Sequence, residues 1–459
     1  MRSVVATLRG AYLRAWRYGP ETARLAEEAV ERERWSTGRW RQWQEARMAF
    51  VLHRAATKVP YYRDQWSARR RRGDRRSWEY LEHWPVLEKE PLRLHPNAFL
   101  ADGCDPRRMF HEHTSGTTGK SLDLWWSRET VRRWYGLFEA RCRQWYGVSR
   151  QDRWAILGGQ LIAPAFSRRP PFWVHNAALR QLYMSSYHLA PDLLPYYLDA
   201  LARFQPRYLL GYASSLYELA QGALAAGRRD LNVAVAITNA EPLFDYQRRT
   251  ISEAFHCPVR ETYGMAEAVA AASECQTGRL HLWPEVGWIE LVEDEEPVAD
   301  GSVGDVVATG LLNADMPLIR YRVGDRAARP GVHVHCTCGR ALPWLASIDG
   351  RRDDTLYTQD GRRIGRLDPV FKTRFPIVEA QIVQEAFDRI RIRYVPAPDF
   401  TAQAGRRLVD EMRARLGTVE VILDPVAAIP RTHGGKYRAV ICNIPQADRD
   451  FAAKTRAHA

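Results

Sequence analysis

The chain has 459 residues, 46% of them hydrophobic, and a formal net charge of +13, a length that exceeds one hydrophobic core and predicts two or three domains. Every window of about eighteen residues contains a charge, so no membrane span is expected, and the arginine-interrupted start of the chain, Met1 to Tyr18, lacks the continuous apolar core of a secretory signal. Seven cysteines in so long a chain do not form a disulfide framework, which makes the cytoplasm the expected compartment.

Residues 1–80 read as helical, with Trp35, Trp40 and Trp43 spaced along an apolar stripe that favours packing over binding. Much of the positive charge is local, in Arg69-Arg70-Arg71-Arg72 followed by Arg75 and Arg76, a run expected at a solvated helix end. From about 110 to 350 the pattern becomes α/β. Short apolar runs at 154–157, 208–210, 234–238 and 305–309 predict strands, and 193–204 and 214–226 carry helical spacing. A fully polar break follows at Gly350-Arg351-Arg352-Asp353-Asp354. Beyond it, predicted strands at 391–395 and 420–423 flank a helix over 402–416. The fold class expected is therefore α/β, with a large N-terminal α/β domain over 1–349 and a small C-terminal α+β domain over 350–459.

The densest chemical signal is His113-Thr114-Ser115-Gly116-Thr117-Thr118-Gly119-Lys120-Ser121. Its glycines let backbone N–H groups approach an anion, its hydroxyls donate to phosphate oxygens, and Lys120 adds a point charge. It is not a Walker A loop, because Thr114 stands where that pattern needs its first glycine; the bland alternative is a solvated Ser/Thr/Gly turn. Four further segments follow in order. Asn239-Ala240-Glu241-Pro242 ends a predicted strand, where open α/β sheets bind ligands. Glu261-Thr262-Tyr263-Gly264-Met265-Ala266-Glu267 brings a carboxylate to a glycine turn. Asp325, in Tyr321-Arg322-Val323-Gly324-Asp325, is an acid able to accept two ribose hydroxyl protons. Lys436, in Pro430-Arg431-Thr432-His433-Gly434-Gly435-Lys436-Tyr437-Arg438, stands on a glycine loop. Each is weak alone; their order and spacing make the set specific.

With these motifs the chain resembles the adenylate-forming superfamily of acyl-CoA synthetases over almost its whole length, and within it the phenylacetate–CoA ligase branch. The resemblance implies ATP-dependent activation of a carboxylic acid as an acyl-adenylate, with ATP, Mg²⁺ and CoA as reactants and cofactors. It makes Thr114, Ser115, Gly116, Thr117, Thr118, Gly119 and Lys120 the phosphate loop. Ala240, Glu241 and Pro242 become the adenine-side turn, and Glu261, Thr262 and Tyr263 line the nucleotide. Glu267 is implied as the magnesium ligand, Asp325 as the ribose-binding acid, Arg351 as a residue near the nucleotide, Asp353 as the hinge of a mobile C-terminal domain, and Lys436 as the adenylation lysine. Pro170-Pro171-Phe172-Trp173, Ser185-Ser186-Tyr187-His188-Leu189, Gly211-Tyr212-Ala213-Ser214-Ser215-Leu216 and Glu379-Ala380-Gln381-Ile382-Val383-Gln384 resemble the subgroup linked to capsular-polysaccharide and secondary-metabolite biosynthesis. That leaves an amine, a hydroxyl or a carrier-protein thiol as alternatives to CoA. The acid pocket is expected between 154–166 and 211–217, whose aromatic content leans toward an aromatic or flat apolar acid. A monomer or homodimer is expected. The remote rival is a basic nucleic-acid-binding protein, disfavoured because the charge is spread among many acids and no such module is recognisable.

One more cluster stands apart. Cys336-Thr337-Cys338 resembles a metal knuckle with a spacer one residue short, and Cys275 and His281 straddle the turn at Gly278. Together they predict a closed, structural Cys₃His zinc set, with His333 and His335 competing for the histidine place; unpaired thiols are the alternative.

Overall fold

The computed structural model of the chain describes residues 2–113, 122–160, 162–164, 167–190, 192–331, 336–351, 356–357, 363–364, 375–431, 437–445 and 448. The phosphate-loop residues Thr114 to Ser121, the competing His333 and His335, Asp353 and Lys436 lie outside these, and Arg351 is described only as the last backbone position of strand Ser347–Arg351. The chain divides into two compact units. The first comprises Met1–Leu243, Gln247–Val323 and Ala327–Ser347; the second comprises Phe244–Tyr246, Gly324–Arg326 and Ile348–Ala459.

The first unit is built on a nine-stranded sheet. Its order across the sheet is Trp344–Leu345, Leu280–Leu282, Ala271–Glu274, Val259–Gly264, Val235–Asn239, Tyr208–Tyr212, Trp154–Gly158, Gln181–Ser185 and Trp173–Asn176. Five central strands, from Gln181–Ser185 through Val259–Gly264, are parallel. Parallel strands need crossovers, and helices Leu194–Phe204, Ala213–Ala225 and Asp245–Phe255 supply three of them. The strands read as near-continuous apolar runs because both faces are covered: Leu157, Leu209, Ala236 and Val259 join Tyr197, Leu216 and Ile251 of the helices in one buried cluster.

The helical N-terminal expectation holds as far as Arg71. Helices Arg2–Arg17, Thr22–Arg32, Thr37–Lys58 and Pro60–Arg71 follow one another; Gly73 then adopts a left-handed φ of +83°, which ends the helical run before residue 80. The arginine run closes the last of these helices, where cations complement the exposed carbonyls, and Arg69 pairs with Asp74 at 2.7 Å. Helix Thr37–Lys58 lies along the chain at 284–315, through Gln44 to the Pro284 carbonyl and Arg47 to the Leu311 carbonyl. Trp40 is buried between Trp35 and Trp43, at 5.1 and 5.9 Å, so the stripe is packing.

The second unit has its own four-stranded sheet, ordered Glu420–Pro425, Arg389–Pro396, Ile377–Ala386, Val440–Cys442. The central pair is an antiparallel hairpin and both outer strands pair parallel. Helix Ala402–Leu416 makes one crossover, capped by Thr401 and stopped at Gly417 with φ +82°. Its Leu408 and Met412 pack with Ile382, Ile390 and Ile392.

Candidate active site and metal centre

The parallel strands place the sequence motifs at one edge of the sheet. Register pairs Gly158 with Ser185, Leu157 with Gly211, Tyr212 with Asn239 and Thr238 with Glu261. All of these lie at the carboxyl ends, the side on which open α/β sheets bind ligands. Gly211 is required there: a Cβ would come within 2.7 Å of the Leu157 carbonyl oxygen on the neighbouring strand.

Within that edge each motif is held by identifiable bonds. Ala240 turns the chain in the left-handed region, at φ +60°, where a non-glycine residue is uncommon. Glu241 is buried, and its Oε2 accepts the Ser214 N–H at 2.9 Å at the start of helix Ala213–Ala225. A carboxylate there suits the positive helix end, so this side chain fixes the turn to the neighbouring helix. Thr262 Oγ1 donates to the Thr238 carbonyl at 2.8 Å. The Glu261 N–H donates to Glu274 Oε2 at 2.8 Å, and Glu274 is itself clamped by both terminal nitrogens of Arg248 at 3.0 Å. Strand Val259–Gly264 is thereby fixed ahead of Glu267.

Glu267 is 9% exposed, and its Oε1 accepts the Tyr321 hydroxyl at 2.9 Å. Among the described residues no other hydrogen bond reaches this carboxylate, which leaves one oxygen for a hard cation, a donor suited to Mg²⁺. Tyr321 carries this orientation, although in the sequence it served only to flank Asp325. The Tyr-Arg pair ahead of the acid was the signal available. Asp325 belongs to the second unit, on strand Tyr321–Ala328.

The expected acid-pocket wall is corrected at one end. Trp154 stands at the amino end of its strand, stacked on Tyr208 at 5.7 Å with its indole N–H on the Leu179 carbonyl, so it is core. At the carboxyl ends stand Tyr187 and Tyr212, and the hydroxyl of Tyr183, from the middle of its strand, reaches the same edge beside Gly158. Burial raises all three phenols above their ordinary value, and the Tyr183 hydroxyl accepts the Gln160 N–H at 3.0 Å. Of the expected wall, Leu161, Ala165 and Phe166 lie outside the described residues.

In the second unit the segment carrying Lys436 is tied on both sides to strand Ile377–Ala386. Arg431 pairs with Glu379 at 2.6 Å before it, and the buried Gln381 amide donates to the Arg438 carbonyl at 2.9 Å after it. Gln384, fully buried, exchanges two hydrogen bonds with the Tyr357 backbone, at 2.9 and 2.6 Å.

The Cys/His cluster assembles as the spacing predicts. One ligand atom from each of Cys275, His281, Cys336 and Cys338 lies within 4.8 Å of the others. The Cys275–Cys336 sulfur separation is 3.6 Å and Cys338 Sγ is 3.3 Å from His281 Nε2. A tetrahedron with Zn–S bonds of about 2.3 Å has edges of about 3.8 Å, so the donor set fits zinc. His281 is fully buried, and its Nδ1 is 2.9 Å from the Leu342 carbonyl, a contact that makes Nδ1 the donor and turns the Nε2 lone pair toward the thiols. Burial also lowers its pKa, which keeps the ring neutral. Beside the knuckle, Arg340 lies over the Trp145 ring at 4.1 Å and bonds Glu33 at 2.9 Å; Glu33 also accepts the Trp145 indole N–H at 2.7 Å. The sequence gives no sign of this pairing of residue 33 with residue 340.

The nine-stranded unit and the small α+β unit together have the fold of the adenylate-forming CoA ligases: crystalline 2-hydroxyisobutyryl-CoA ligase, in the postadenylation state with 2-HIB-AMP, superposes with a TM-score of 0.67 at 19% identity over 94% of each chain. The sequence relatives narrow the branch. CapK of Staphylococcus aureus is 27% identical over 375 residues, covering 79% of this chain and 80% of CapK. Phenylacetate-coenzyme A ligase of Thermus thermophilus is 25% identical over 477 residues, covering 92% of this chain and 99% of that enzyme. Residues 356–443 match the family model described as the CapK C-terminal domain.

Proposed function

We propose that the protein activates a carboxylic acid with ATP, releasing pyrophosphate, and passes the acyl group from the adenylate to the thiol of CoA. The observation that carries this reading is the convergence of 211–217, 239–242 and 261–267 on the carboxyl edge of one parallel sheet, with the half-engaged Glu267 carboxylate among them. Relatives that are phenylacetate-coenzyme A ligases support it.

A carboxylate is a poor electrophile because its leaving group would be oxide. In the first step a carboxylate oxygen attacks the α-phosphorus, the bond from that phosphorus to the bridging oxygen breaks, and pyrophosphate leaves. The chain has to orient two anions and neutralise them. Glu267 would hold the Mg²⁺ that neutralises phosphate charge. Thr114 to Lys120 would grip the β- and γ-phosphates, Asp325 the ribose hydroxyls, and Lys436 would bridge the carboxylate and α-phosphate, a task suited to a compact ammonium on a flexible stem. In the second step the thiolate attacks the acyl carbon, the bond to AMP breaks, and the thiol proton passes to solvent. The hinge at Asp353, with Arg351 beside the nucleotide, would exchange the faces of residues 350–459 between the steps. Zinc at Cys275, His281, Cys336 and Cys338 is structural in this reading, because the set offers four protein donors and no open position. The site of action is the cytoplasm.

Pyrophosphate exchange over a panel of carboxylic acids, with aromatic acids included, tests the first step; CoA-dependent thioester formation tests the second. Absence of exchange with every acid in the presence of Mg²⁺ sinks the proposal. A second reading is transfer to an amine, hydroxyl or carrier thiol, left open because residues 356–443 match the CapK C-terminal domain and that description names no acceptor. Exchange without CoA-dependent turnover selects it.

A further inference from the structure

The first helix, Arg2–Arg17, presents two unlike faces. One is seated on the outermost strand of the large sheet, Trp173–Asn176, and the turn that follows it. Ser3 Oγ accepts the His175 N–H at 3.4 Å and Thr7 Oγ1 accepts the Ala177 N–H at 3.2 Å. Gly10 lies so close to Asn176 that a Cβ would fall 1.9 Å from its Oδ1. Trp16, at the end of the helix, is buried against Phe110.

Among the described residues the other face is exposed, apart from the edge of Tyr12 that meets Trp16 at 6.3 Å. Val4, Val5, Leu8 and Tyr12 are 62, 61, 67 and 56% exposed, which makes them half of the eight large apolar side chains exposed in the described part of the molecule. Ala11 and Ala15 are exposed beside them. At about 100° per residue these six positions share an arc of about 120°. Arg2 and Arg9 stand at one margin of that arc and Arg14 at the other, all three exposed, and the helix contains no acid. An apolar stripe bordered by arginines on a short surface helix is the pattern that lies in the headgroup region of a bilayer.

We propose that this helix docks the protein on an anionic lipid surface. Charge selects that occupant. A second copy of the chain would bring the same arginine margins face to face, and the whole molecule carries +13, whereas anionic headgroups complement both. Val4, Leu8 and Tyr12 follow one another at four-residue spacing, so all three enter the interface together. The seating on Trp173–Asn176 holds the helix lengthwise against the protein, so it lies flat, with the apolar arc outward. The apolar arc carries none of the residues of the proposed active site, and of the helix only Arg9, at its margin, acts on one of the phenols there, Tyr183; docking is therefore expected to place the enzyme at a membrane without altering the chemistry.

Flotation of the full chain with vesicles tests this. Binding is expected to phosphatidylglycerol-containing vesicles, little to pure phosphatidylcholine, and to weaken as salt rises. Leu8→Glu should cut the partition by about tenfold, and Arg2→Glu should weaken it in low salt, with circular dichroism and acid-dependent pyrophosphate exchange unchanged in both. Because the residues are exposed, both variants are expected to fold. No flotation at low salt overturns the proposal, as does flotation indifferent to Leu8→Glu. A dimer seen by sedimentation equilibrium that Leu8→Glu dissociates would assign the face to a second copy instead, and also overturns it.

Discussion

Glu267 and Tyr321 show how little freedom the proposed magnesium position has. Removing the charge by Glu267→Gln keeps the shape and the Tyr321 bond, and we expect acid-dependent exchange to fall by about a hundredfold or more, measured at saturating ATP. Tyr321→Phe leaves the charge and loosens its aim; a smaller loss is expected, expressed mainly as a raised Mg²⁺ requirement in a titration of the rate. Lys436→Ala should abolish exchange while thioester formation from supplied acyl-adenylate survives; equal loss of both would remove Lys436 from the first step. At this scale the sequence is informative where chemistry demands a residue type, as with Glu267 beside its glycine turn. It is silent about Tyr321, Ser214 and Glu274, whose roles arise only when strands and helices far apart in sequence meet.

Single elements were legible where local physics decides them. Helix Ala402–Leu416 has the bounds expected from its spacing because Thr401 caps it and Gly417 stops it. The strands at 154–158, 208–212 and 235–239 are short apolar runs buried on both faces. Trp154 was misplaced because an aromatic run reveals a strand but not which end meets the ligand. The Cys/His cluster was legible through cysteine spacing, while its attachment was not. Stripping metal with a chelator, or Cys338→Ser, should lower Tm by about 5–10 °C, with zinc release followed by a chromogenic dye; an unchanged Tm in metal-free, active protein would refute a structural role. Beneath the knuckle, Arg141 is fully buried and bonds both oxygens of Glu285 at 2.8 and 2.9 Å. Glu285→Ala removes both of these bonds and leaves the buried guanidinium only the Glu33 carboxylate at 3.6 Å; it should cost about 3 kcal/mol, read by urea denaturation.

Across the molecule, the division into two units follows the composition break near residue 350, because a polar run cannot contribute to either core. The core of residues 348–459 is self-contained around Ile382, Ile390, Ile392 and Leu408, and we expect this segment to fold when expressed alone, with a dispersed NMR spectrum as the readout. What the sequence could not convey is the long-range stitching of the N-terminal helices. The Glu33–Arg340 bond joins residues 307 positions apart, which has a consequence for synthesis. At about 5–20 residues per second, a ribosome needs roughly 15–60 s to reach Arg340 after it has made Glu33. Throughout that interval the first helices lack their last anchor, and a contact of such sequence separation is expected late in folding. The nascent chain therefore passes through a stage in which its basic, apolar amino-terminal segment is made but not yet locked down. In that interval a holdase chaperone would compete with folding for residues 2–33.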